Sequence, residues 1–146
     1  MDETSTSTAA PVTEPGPAPV APEGGLKKRI LVVDDERDIL ESIQVALERA
    51  GYDVLIARDG NQGLAQVERG NPDLVILDIM MPRRGGLLVL ERLRVTQRVP
   101  VRVIMNTANE GQRHRAYAES LGVDGYLHKG KYTMEELLDL VARLLK

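Results

Sequence analysis

The chain has 146 residues, 28% of them charged and 42% hydrophobic, and its formal net charge is −3. This length suits one domain and hardly two, and the absence of cysteine excludes a disulfide framework and thiolate metal sites. No basic stripe with interleaved aromatic residues points to nucleic acid. The longest apolar runs have about five residues, whereas a membrane span needs roughly twenty, and the N-terminus lacks the basic and apolar regions of a secretory signal. We therefore expect a cytoplasmic protein that contacts neither nucleic acid directly nor a membrane.

Residues 1–25 differ in composition from the rest of the chain. They are rich in Pro, Ala, Ser and Thr, carry four acidic residues and no Lys or Arg, and have almost no large apolar side chains. Such a segment cannot bury enough surface to offset the entropy that is lost on ordering. The composition predicts a disordered tail, which we interpret as a solubilising segment rather than a tether or a docking segment. The folded domain is predicted over residues 26–146.

From residue 26 onward, short apolar runs alternate with longer amphipathic stretches. The runs are RILVV, YDVLIA, DLVILDIM, VRVIMN and DGYLH, and they are typical of strands that are buried on both faces. Strands of this kind alternating with helices predict an α/β fold, in which five parallel strands form one doubly wound sheet with helices on both faces.

The helical spacing of apolar residues predicts five helices. The first helix is expected to start near Glu36 and end at Gly51, and the second to cover residues 60–69 with Gly70 as the closing residue. The third should include Leu87 to Leu93, the fourth should cover residues 109–121, and the fifth should include Leu137 to Leu145. Thr133 and Glu136 have the spacing of a capping box for the fifth helix.

The fourth predicted helix is poorly amphipathic. Between Asn109 and Ser120 its only apolar residues are Ala116, Tyr117 and Ala118. Such a helix is weakly held and can shift at little cost, which suits a two-state switch. A merely exposed helix would have the same pattern, so the residues alone leave both interpretations open.

Polar residues occupy the ends of the predicted strands. Asp34 and Asp35 end the first strand, Asp78 the third, Thr107 the fourth and Lys129 the fifth. Each alone has a structural explanation, because an aspartate can cap a helix, a threonine can end a strand and a lysine can be solvated. The carboxyl ends of parallel strands share one edge of the sheet, where such folds bind ligands. We therefore expect three carboxylates, one hydroxyl and one ammonium group to converge there.

This combination of groups favours phosphoryl transfer onto a carboxylate. Mg²⁺ prefers hard oxygen ligands, typically one or two carboxylates with water and phosphate oxygens, and it would relieve the repulsion within the acidic cluster. A carboxylate can act as a nucleophile toward phosphorus, and a lysine with a hydroxyl donor stabilises charge on the equatorial oxygens. The cluster therefore predicts an aspartyl phosphate that forms with Mg²⁺ as the cofactor.

Four motifs resemble those of the receiver domain of bacterial response regulators: LVVDDE, DLVILDIMMP followed by GG, VIMNTA, and GYLHK. The resemblance covers about residues 26–146 and implies the CheY-like, flavodoxin-like fold. It implies that Asp78 is the phospho-acceptor and that Lys129 contacts the phosphoryl oxygens. Thr107 would hydrogen-bond the phosphoryl group and move toward it, and Tyr126 matches the aromatic switch residue that changes rotamer when Thr107 is drawn in.

The resemblance also implies the metal ligands and the partners. Asp34 and Asp35 match the metal-binding pair, with Asp35 the more direct ligand, and Asp78 and the backbone carbonyl of Met80 complete the set. A sensor histidine kinase or a phosphotransfer protein would donate the phosphoryl group, and the signal would pass to an unknown downstream protein through helix four, strand five and helix five. Such a domain is not otherwise an enzyme, because it catalyses only its own phosphorylation and dephosphorylation.

The loop after the fifth strand departs from the family pattern. In the family the lysine is usually followed by proline through a cis peptide, whereas Lys129 is followed by Gly130. A cis peptide before a residue other than proline costs about 2.5–4 kcal/mol, so we expect a trans peptide or a reshaped loop. Lys131 is a weaker candidate for the phosphoryl contact, because Lys129 lies directly at the strand end. His128 precedes Lys129 on the strand, so that the two side chains should point to opposite faces.

Other functions fit the sequence less well. A phosphorylation-independent binding module would have lost an essential acid, the hydroxyl or the lysine, and none is lost. A small phosphohydrolase would need a second acid where Met80 stands, and a flavodoxin-type cofactor carrier would need a phosphate-cradling loop in place of DDER. We expect a single-domain response regulator, and the receiver part of a longer regulator remains an alternative.

Overall fold

The computed structural model describes residues 27–82, 85–96, 101–108 and 112–146. The predicted tail over residues 1–25 therefore lies outside the described residues, as do residues 109–111 at the start of the fourth predicted helix. Within the described ranges, no helix has both the length and the apolar character that crossing a membrane requires.

Five strands and five helices alternate along the described chain. They are β1 (Arg29–Val33), α1 (Arg37–Arg49), β2 (Asp53–Ala57), α2 (Gly60–Gly70), β3 (Leu74–Leu77), α3 (Gly85–Glu91), β4 (Arg102–Thr107), α4 (Gln112–Leu121), β5 (Gly125–His128) and α5 (Met134–Leu144). All four strand pairs are parallel, and the strand order is β2-β1-β3-β4-β5. This is the order of a flavodoxin-like doubly wound sheet, so the predicted fold class is confirmed.

Different helices cover the two faces of the sheet. The helices on one face, α1 and α5, contribute Leu40, Ile43, Leu47, Leu137 and Val141 to the core. The helices on the other face, α2, α3 and α4, contribute Val67, Leu87, Val89, Leu90 and Ala118. The three central strands are buried on both faces, which explains why their sequences read as continuous apolar runs.

The helix ends follow the local sequence at three of the predicted positions. Glu36 precedes the first helical residue of α1, and Gly51, just beyond its end, has a φ of +100°. At α5, the Thr133 side chain accepts a hydrogen bond from the Glu136 amide at 3.0 Å, and the Glu136 side chain accepts one from the Thr133 amide at 2.9 Å. The predicted capping box of α5 is confirmed.

The prediction that Gly70 closes α2 is wrong. Gly70 is the last helical residue, and the left-handed residue that follows is Asn71, with a φ of 49°. Asparagine tolerates this conformation because its short polar side chain can bond locally. Gly70 serves a different purpose, since a Cβ at this position would overlap the side chain of Leu55 on β2. Its small size therefore permits close packing of α2 against the sheet.

Helix α3 ends in an unpredicted way. After Glu91 the backbone widens into a π-helical turn over Arg92–Thr96. Leu93 lies within this turn and is fully buried. The apolar spacing from Leu87 to Leu93 therefore indicated the buried face correctly, but it did not distinguish the α-helix from the wider turn.

Candidate functional site

The ends of β1, β3 and β5 meet at one edge of the sheet, as predicted. Asp34, Asp78 and Lys129 each follow the last residue of a strand, and their backbone amides continue the strand pairing. Asp34 N donates to Ala57 O at 3.1 Å, Asp78 N to Val33 O at 3.0 Å, and Lys129 N to Thr107 O at 3.0 Å. The backbone of each of these residues is therefore fixed by its neighbouring strand.

Lys129 joins the acidic residues at this edge. Its Nζ donates to Asp78 Oδ2 at 2.7 Å, to Asp34 Oδ1 at 3.2 Å and to Glu36 Oε1 at 2.6 Å. Burial disfavours the charged ammonium, but the hydrogen bonds with Asp78 and Glu36 outweigh burial and raise the pKa of Lys129. The amine therefore remains protonated and supplies positive charge at the acidic edge.

Asp34, Asp35 and Asp78 form a compact acidic cluster. One carboxylate oxygen from each lies within 4.8 Å of the others; Asp34 and Asp78 are buried, and Asp35 is exposed. Burial raises the pKa of Asp34 from 3.8 to about 6, and the nearby charge of Asp78 also raises it, while the hydrogen bond from the Glu36 amide and the charge of Lys129 lower it. The charged form of this carboxyl is therefore incompletely stabilised by the protein.

The acidic cluster fits the predicted divalent cation. Asp34 Oδ2 is buried and accepts no hydrogen bond from the described residues, although Lys129 Nζ lies 3.1 Å from it in an ion pair. Hard carboxylate oxygens are the ligands that Mg²⁺ prefers. Asp34, Asp35 and Asp78 are therefore the side chains that could hold the metal.

The aspartates do not serve as the helix caps that were considered as an alternative. The residue at the N-cap of α1 is Glu36, and no side chain caps this helix. Asp34 Oδ1 instead accepts from the Glu36 amide at 2.8 Å, and Asp78 Oδ1 accepts from the Met80 amide at 2.9 Å. Both aspartates thus bond the backbone two residues ahead, which fixes their side chains in short turns. The second contact also holds the backbone of Met80 beside Asp78.

Thr107 ends β4 and is 1% exposed. Its Oγ1 is buried and makes no hydrogen bond with the described residues. In the register of β4 and β5, Thr107 pairs with His128 and Met105 pairs with Tyr126. Because alternate residues of a strand share a face, Thr107 and Tyr126 lie on the same face of the sheet.

Tyr126 is half-buried between a helix and its own strand. The guanidinium carbon of Arg115 on α4 lies 3.9 Å from the centre of the Tyr126 ring. The ring of His128 approaches it edge-on, with 5.3 Å between the ring centres. His128 and Tyr126 thus share a face, as expected for residues two apart, and α4 contacts the predicted switch residue through a charged side chain.

The loop after β5 places Lys129, and not Lys131, at the acidic cluster. Lys131 is exposed, and its amide donates to His128 O at 3.0 Å. The described part of the chain contains no cis peptide, and Gly130 has a φ of +77°, a conformation that favours glycine. The expectation of a trans peptide after Lys129 is confirmed, and glycine allows the loop to turn there.

Glu36 is the site residue that the sequence analysis did not identify. It follows Asp34 and Asp35 in the chain, and its carboxylate makes the shortest hydrogen bond with Lys129. A third consecutive acid in DDE was the available signal. The sequence alone indicates Glu36 only as the residue near which α1 starts.

Comparison with known proteins identifies the family of this domain. Residues 30–142 match the model of the response regulator receiver domain. The chain is 40% identical over 104 residues to the alkaline phosphatase synthesis transcriptional regulatory protein PhoP of Bacillus subtilis, which covers 71% of this chain and 43% of that protein. It is 41% identical over 119 residues to the response regulator MprA of Mycobacterium leprae, which covers 81% of this chain and 51% of that protein. The chain thus spans about half the length of these relatives.

Solved structures agree with this assignment. A CheY-like response regulator receiver domain protein from Methanospirillum hungatei superposes with a TM-score of 0.75 at 33% identity, over 82% of this chain and 94% of that one. The receiver domain of the Francisella response regulator 1452 gives a TM-score of 0.71 at 30% identity, over 81% and 96%. The fold, the acidic edge and these relatives together show that the chain belongs to the response regulator receiver domain family of two-component signalling.

Proposed function

We propose that this receiver domain acts as a single-domain response regulator in the cytoplasm. It accepts a phosphoryl group on Asp78, with Mg²⁺ as cofactor, from a sensor histidine kinase or a phosphotransfer protein. The modification then switches a protein-binding surface for a downstream partner. In this proposal the domain catalyses only its own phosphorylation and dephosphorylation, and it contacts neither nucleic acid directly nor a membrane.

The observation that carries the proposal is the contact between Asp78 and Lys129. Asp78 is 3% exposed, and its Oδ2 accepts a hydrogen bond from Lys129 Nζ at 2.7 Å. A carboxylate buried this deeply is rare unless it is paired, and a buried charge with a specific partner is a common sign of function. A structural ion pair alone would not account for the two further aspartates at the same edge.

The side chains have complementary roles in phosphoryl transfer. A carboxylate oxygen of Asp78 forms a bond to phosphorus as the bond from phosphorus to the donor nitrogen breaks, and the donor imidazole retains that electron pair. Lys129 remains protonated and directs its N–H groups toward the phosphoryl oxygens as their charge shifts. Thr107 offers an Oγ1 hydroxyl with no partner among the described residues, which can then donate to a phosphoryl oxygen.

Asp34, Asp35 and Asp78 would hold Mg²⁺, together with the backbone carbonyl of Met80. The bound ion would neutralise acidic charge and polarise the phosphoryl group. The buried Asp34 Oδ2 accepts no hydrogen bond from the described residues, although Lys129 Nζ lies 3.1 Å from it. This supports the assignment, because a carboxylate oxygen without a hydrogen bond can bind a metal ion directly. The protein's own contribution is to fix the carboxylates of Asp34 and Asp78 by strand ends and short turns.

The proposed switch involves Thr107, Tyr126 and the α4–β5–α5 surface. Thr107 and Tyr126 share a face of the sheet, so a shift of Thr107 toward the phosphoryl group would open space beside the aromatic ring. Tyr126 is in turn covered by Arg115 of α4. Because Ala118 is the one buried residue among residues 115–121 of α4, a small change at Tyr126 can move this part of the helix at low cost.

Incubation with Mg²⁺ and acetyl phosphate, followed by intact-mass measurement, tests the proposal. We expect one added phosphate on the full chain, no addition to Asp78→Asn, and no addition when a chelator removes the metal. Asp139→Asn provides the control, because Asp139 is an exposed aspartate on α5 and should leave phosphorylation unchanged. Persistent phosphorylation of Asp78→Asn, or none of the wild-type protein, would contradict the assignment.

A second candidate function is the receiver part of a longer regulator. It is favoured by the lengths of the relatives, since the chain covers 43% of PhoP and 51% of MprA. In that case the same phosphorylation would act on a further domain. Phosphorylation of Asp78 is common to both candidates, whereas a phosphorylation-independent binding module would fail the mass experiment.

A further inference from the structure

The contact between Glu36 and Lys129 has no part in the mechanism above. The Glu36 side chain is 57% exposed, whereas those of Asp34 and Asp78 are 2% and 3% exposed. An exposed carboxylate can release an ammonium group at little cost, because water replaces the lost contact. A buried carboxylate cannot, because its charge would be left without compensation. Glu36 is therefore the partner that Lys129 can most easily give up.

The backbone places Glu36 beside Lys129 independently of their ion pair. The Glu36 amide donates to Asp34 Oδ1 at 2.8 Å, and its carbonyl accepts from Leu40 N at 3.0 Å as α1 begins. Its side chain stands at the N-cap position but makes no capping hydrogen bond. The carboxylate instead reaches Lys129 Nζ at 2.6 Å.

We propose that Glu36 is a positioning residue that holds Lys129 in the unphosphorylated domain and competes with the incoming phosphoryl group for its ammonium. This inference rests on the proposed function, because it assigns Lys129 to the phosphoryl oxygens. An ammonium group has three N–H donors, and Asp34, Glu36 and Asp78 each accept a hydrogen bond from Lys129 Nζ. A phosphoryl oxygen can accept a hydrogen bond from Lys129 Nζ when one of these carboxylates gives up its own, and Glu36 is the exposed one of the three.

Three variants separate this contact from a general effect of charge. Glu36→Gln removes the charge and keeps the length of the side chain. Glu36→Asp keeps the charge but shortens the side chain by one methylene, which draws the carboxylate back from Lys129 Nζ and weakens the hydrogen bond. Asp38→Asn removes one negative charge from an exposed residue in the first turn of α1, and Asp38 is not among the three residues that bond Lys129 Nζ.

The experiment measures the phosphorylation rate of the full chain by intact mass, with saturating Mg²⁺ and a series of acetyl phosphate concentrations. Both Glu36 variants should lower the half-saturating concentration of acetyl phosphate by about two- to fivefold, the range expected for one exposed ion pair. The maximal rate should change less, because Glu36 does not touch the reacting atoms. Asp38→Asn should behave as the wild-type protein.

The outcomes distinguish this inference from the proposed function. Equal half-saturation in the wild-type protein and Glu36→Gln would overturn the role of Glu36 alone, as would an identical decrease in Asp38→Asn. Failure of the wild-type protein and all variants to be phosphorylated would overturn the proposed function as well. The NMR signal of the Lys129 ammonium provides a second readout in the unphosphorylated protein: it should shift in both Glu36 variants and not in Asp38→Asn, and its constancy in all three would contradict the contact.

Discussion

At the scale of single residues, Asp34 shows how burial and charge oppose one another at the acidic edge. Its side chain is 2% exposed, and burial raises its pKa from 3.8 to about 6. A carboxyl whose pKa is raised on folding binds protons more tightly in the folded state than in the unfolded one. Ionised Asp34 therefore destabilises the metal-free fold: the cost is absent below the ordinary pKa, grows as the pH rises toward 6, and is complete above it.

This sign leads to a prediction for Asp34→Asn. Without metal, the substitution should raise the free energy of unfolding at pH 7.5 relative to the wild-type protein. The gain at pH 7.5 should exceed that at pH 4 by on the order of 2 kcal/mol. The reason is that asparagine carries no charge to bury at the higher pH. Urea denaturation in the presence of a chelator, at both pH values, measures the difference.

Two comparisons make the Asp34 prediction specific. Asp38→Asn, at an exposed position in α1, should have the same small effect at both pH values. Saturating Mg²⁺ at pH 7.5 should stabilise the wild-type protein more than Asp34→Asn, because a metal that binds only the folded state adds to its stability. A stability difference for Asp34→Asn that is independent of pH would show that burial does not disfavour the ionised side chain.

At the scale of elements, two glycines at the start of α3 set the distance between this helix and the acidic edge. Gly85 packs against the backbone of Gly60 at the start of α2, where an added Cβ would lie 3.1 Å from the Gly60 nitrogen. At Gly86, an added Cβ would overlap the carbonyl of Asp78 and lie 2.6 Å from Ile79 Cα. The two glycines of the sequence motif thus allow α3 to approach the backbone of the predicted phospho-acceptor closely.

We expect Gly86→Ala to reduce both stability and phosphorylation. Overpacking against the backbone should lower the free energy of unfolding by about 1–3 kcal/mol, and the displacement of Asp78 should slow its phosphorylation, since small misplacements of reacting groups are costly. Denaturation and intact mass measure the two effects. Leu88→Ala is the control, because Leu88 lies in the same helix with 40% exposure; an equal loss of phosphorylation in this variant would argue against the close approach as the cause.

Helix α4 differs from the other helices in how it is held. Of residues 115–121, only Ala118 is buried. Polar contacts account for much of the rest: Tyr117 Oη donates to Glu91 Oε2 at 2.6 Å, and Arg115 covers the Tyr126 ring. Contacts of this kind at an exposed surface contribute little stability, which agrees with the weak amphipathicity of the sequence.

Hydrogen exchange should therefore be faster in α4 than in α5. We expect the amides of residues 118–121 to exchange at least about tenfold faster than those of residues 141–144, because local opening of α4 exposes little apolar surface. Exchange measured by NMR in the metal-free protein tests this. The chain offers an internal reference in α5, where Leu137 and Val141 are fully buried. Equal protection of the two helices would mean that α4 is held by the fold as firmly as α5.

At the scale of the whole molecule, the elements that could be predicted are those that depend on periodicity. Alternating apolar runs and helical stretches indicated the parallel sheet, and the shared edge of parallel strands brought Asp34, Asp78 and Lys129 together. The turn at Asn71 was not predicted, because glycine is the usual residue at the left-handed end of a helix, whereas here asparagine adopts that conformation. The π-helical turn over Arg92–Thr96 was not predicted either, because the spacing of apolar residues does not distinguish it from an α-helix.

The contact of Glu36 with Lys129 also depends on geometry that a sequence does not contain. Two strands, β3 and β4, separate β1 from β5 in the sheet. At about 4.8 Å per strand, Lys129 must lean across two strand ends to reach the acids that follow β1. Which of those acids it bonds is decided by the twist of the sheet and the turn before α1, both of which are tertiary features.

The direction of the outer elements determines where other polypeptides can be attached. The described chain begins next to the first residue of β1, where Lys28 O accepts a hydrogen bond from the amide that opens β2. Helix α5 starts after the loop at Lys129 and runs back for 11 residues, or about 16 Å at the usual rise. Residues 27 and 146 thus both lie at the end of the sheet where the strands begin, opposite the end that carries the carboxylates. A fluorescent label attached near residue 146 would leave the carboxylates accessible, and any effect of a phosphoryl group on such a label would have to be transmitted through the body of the domain.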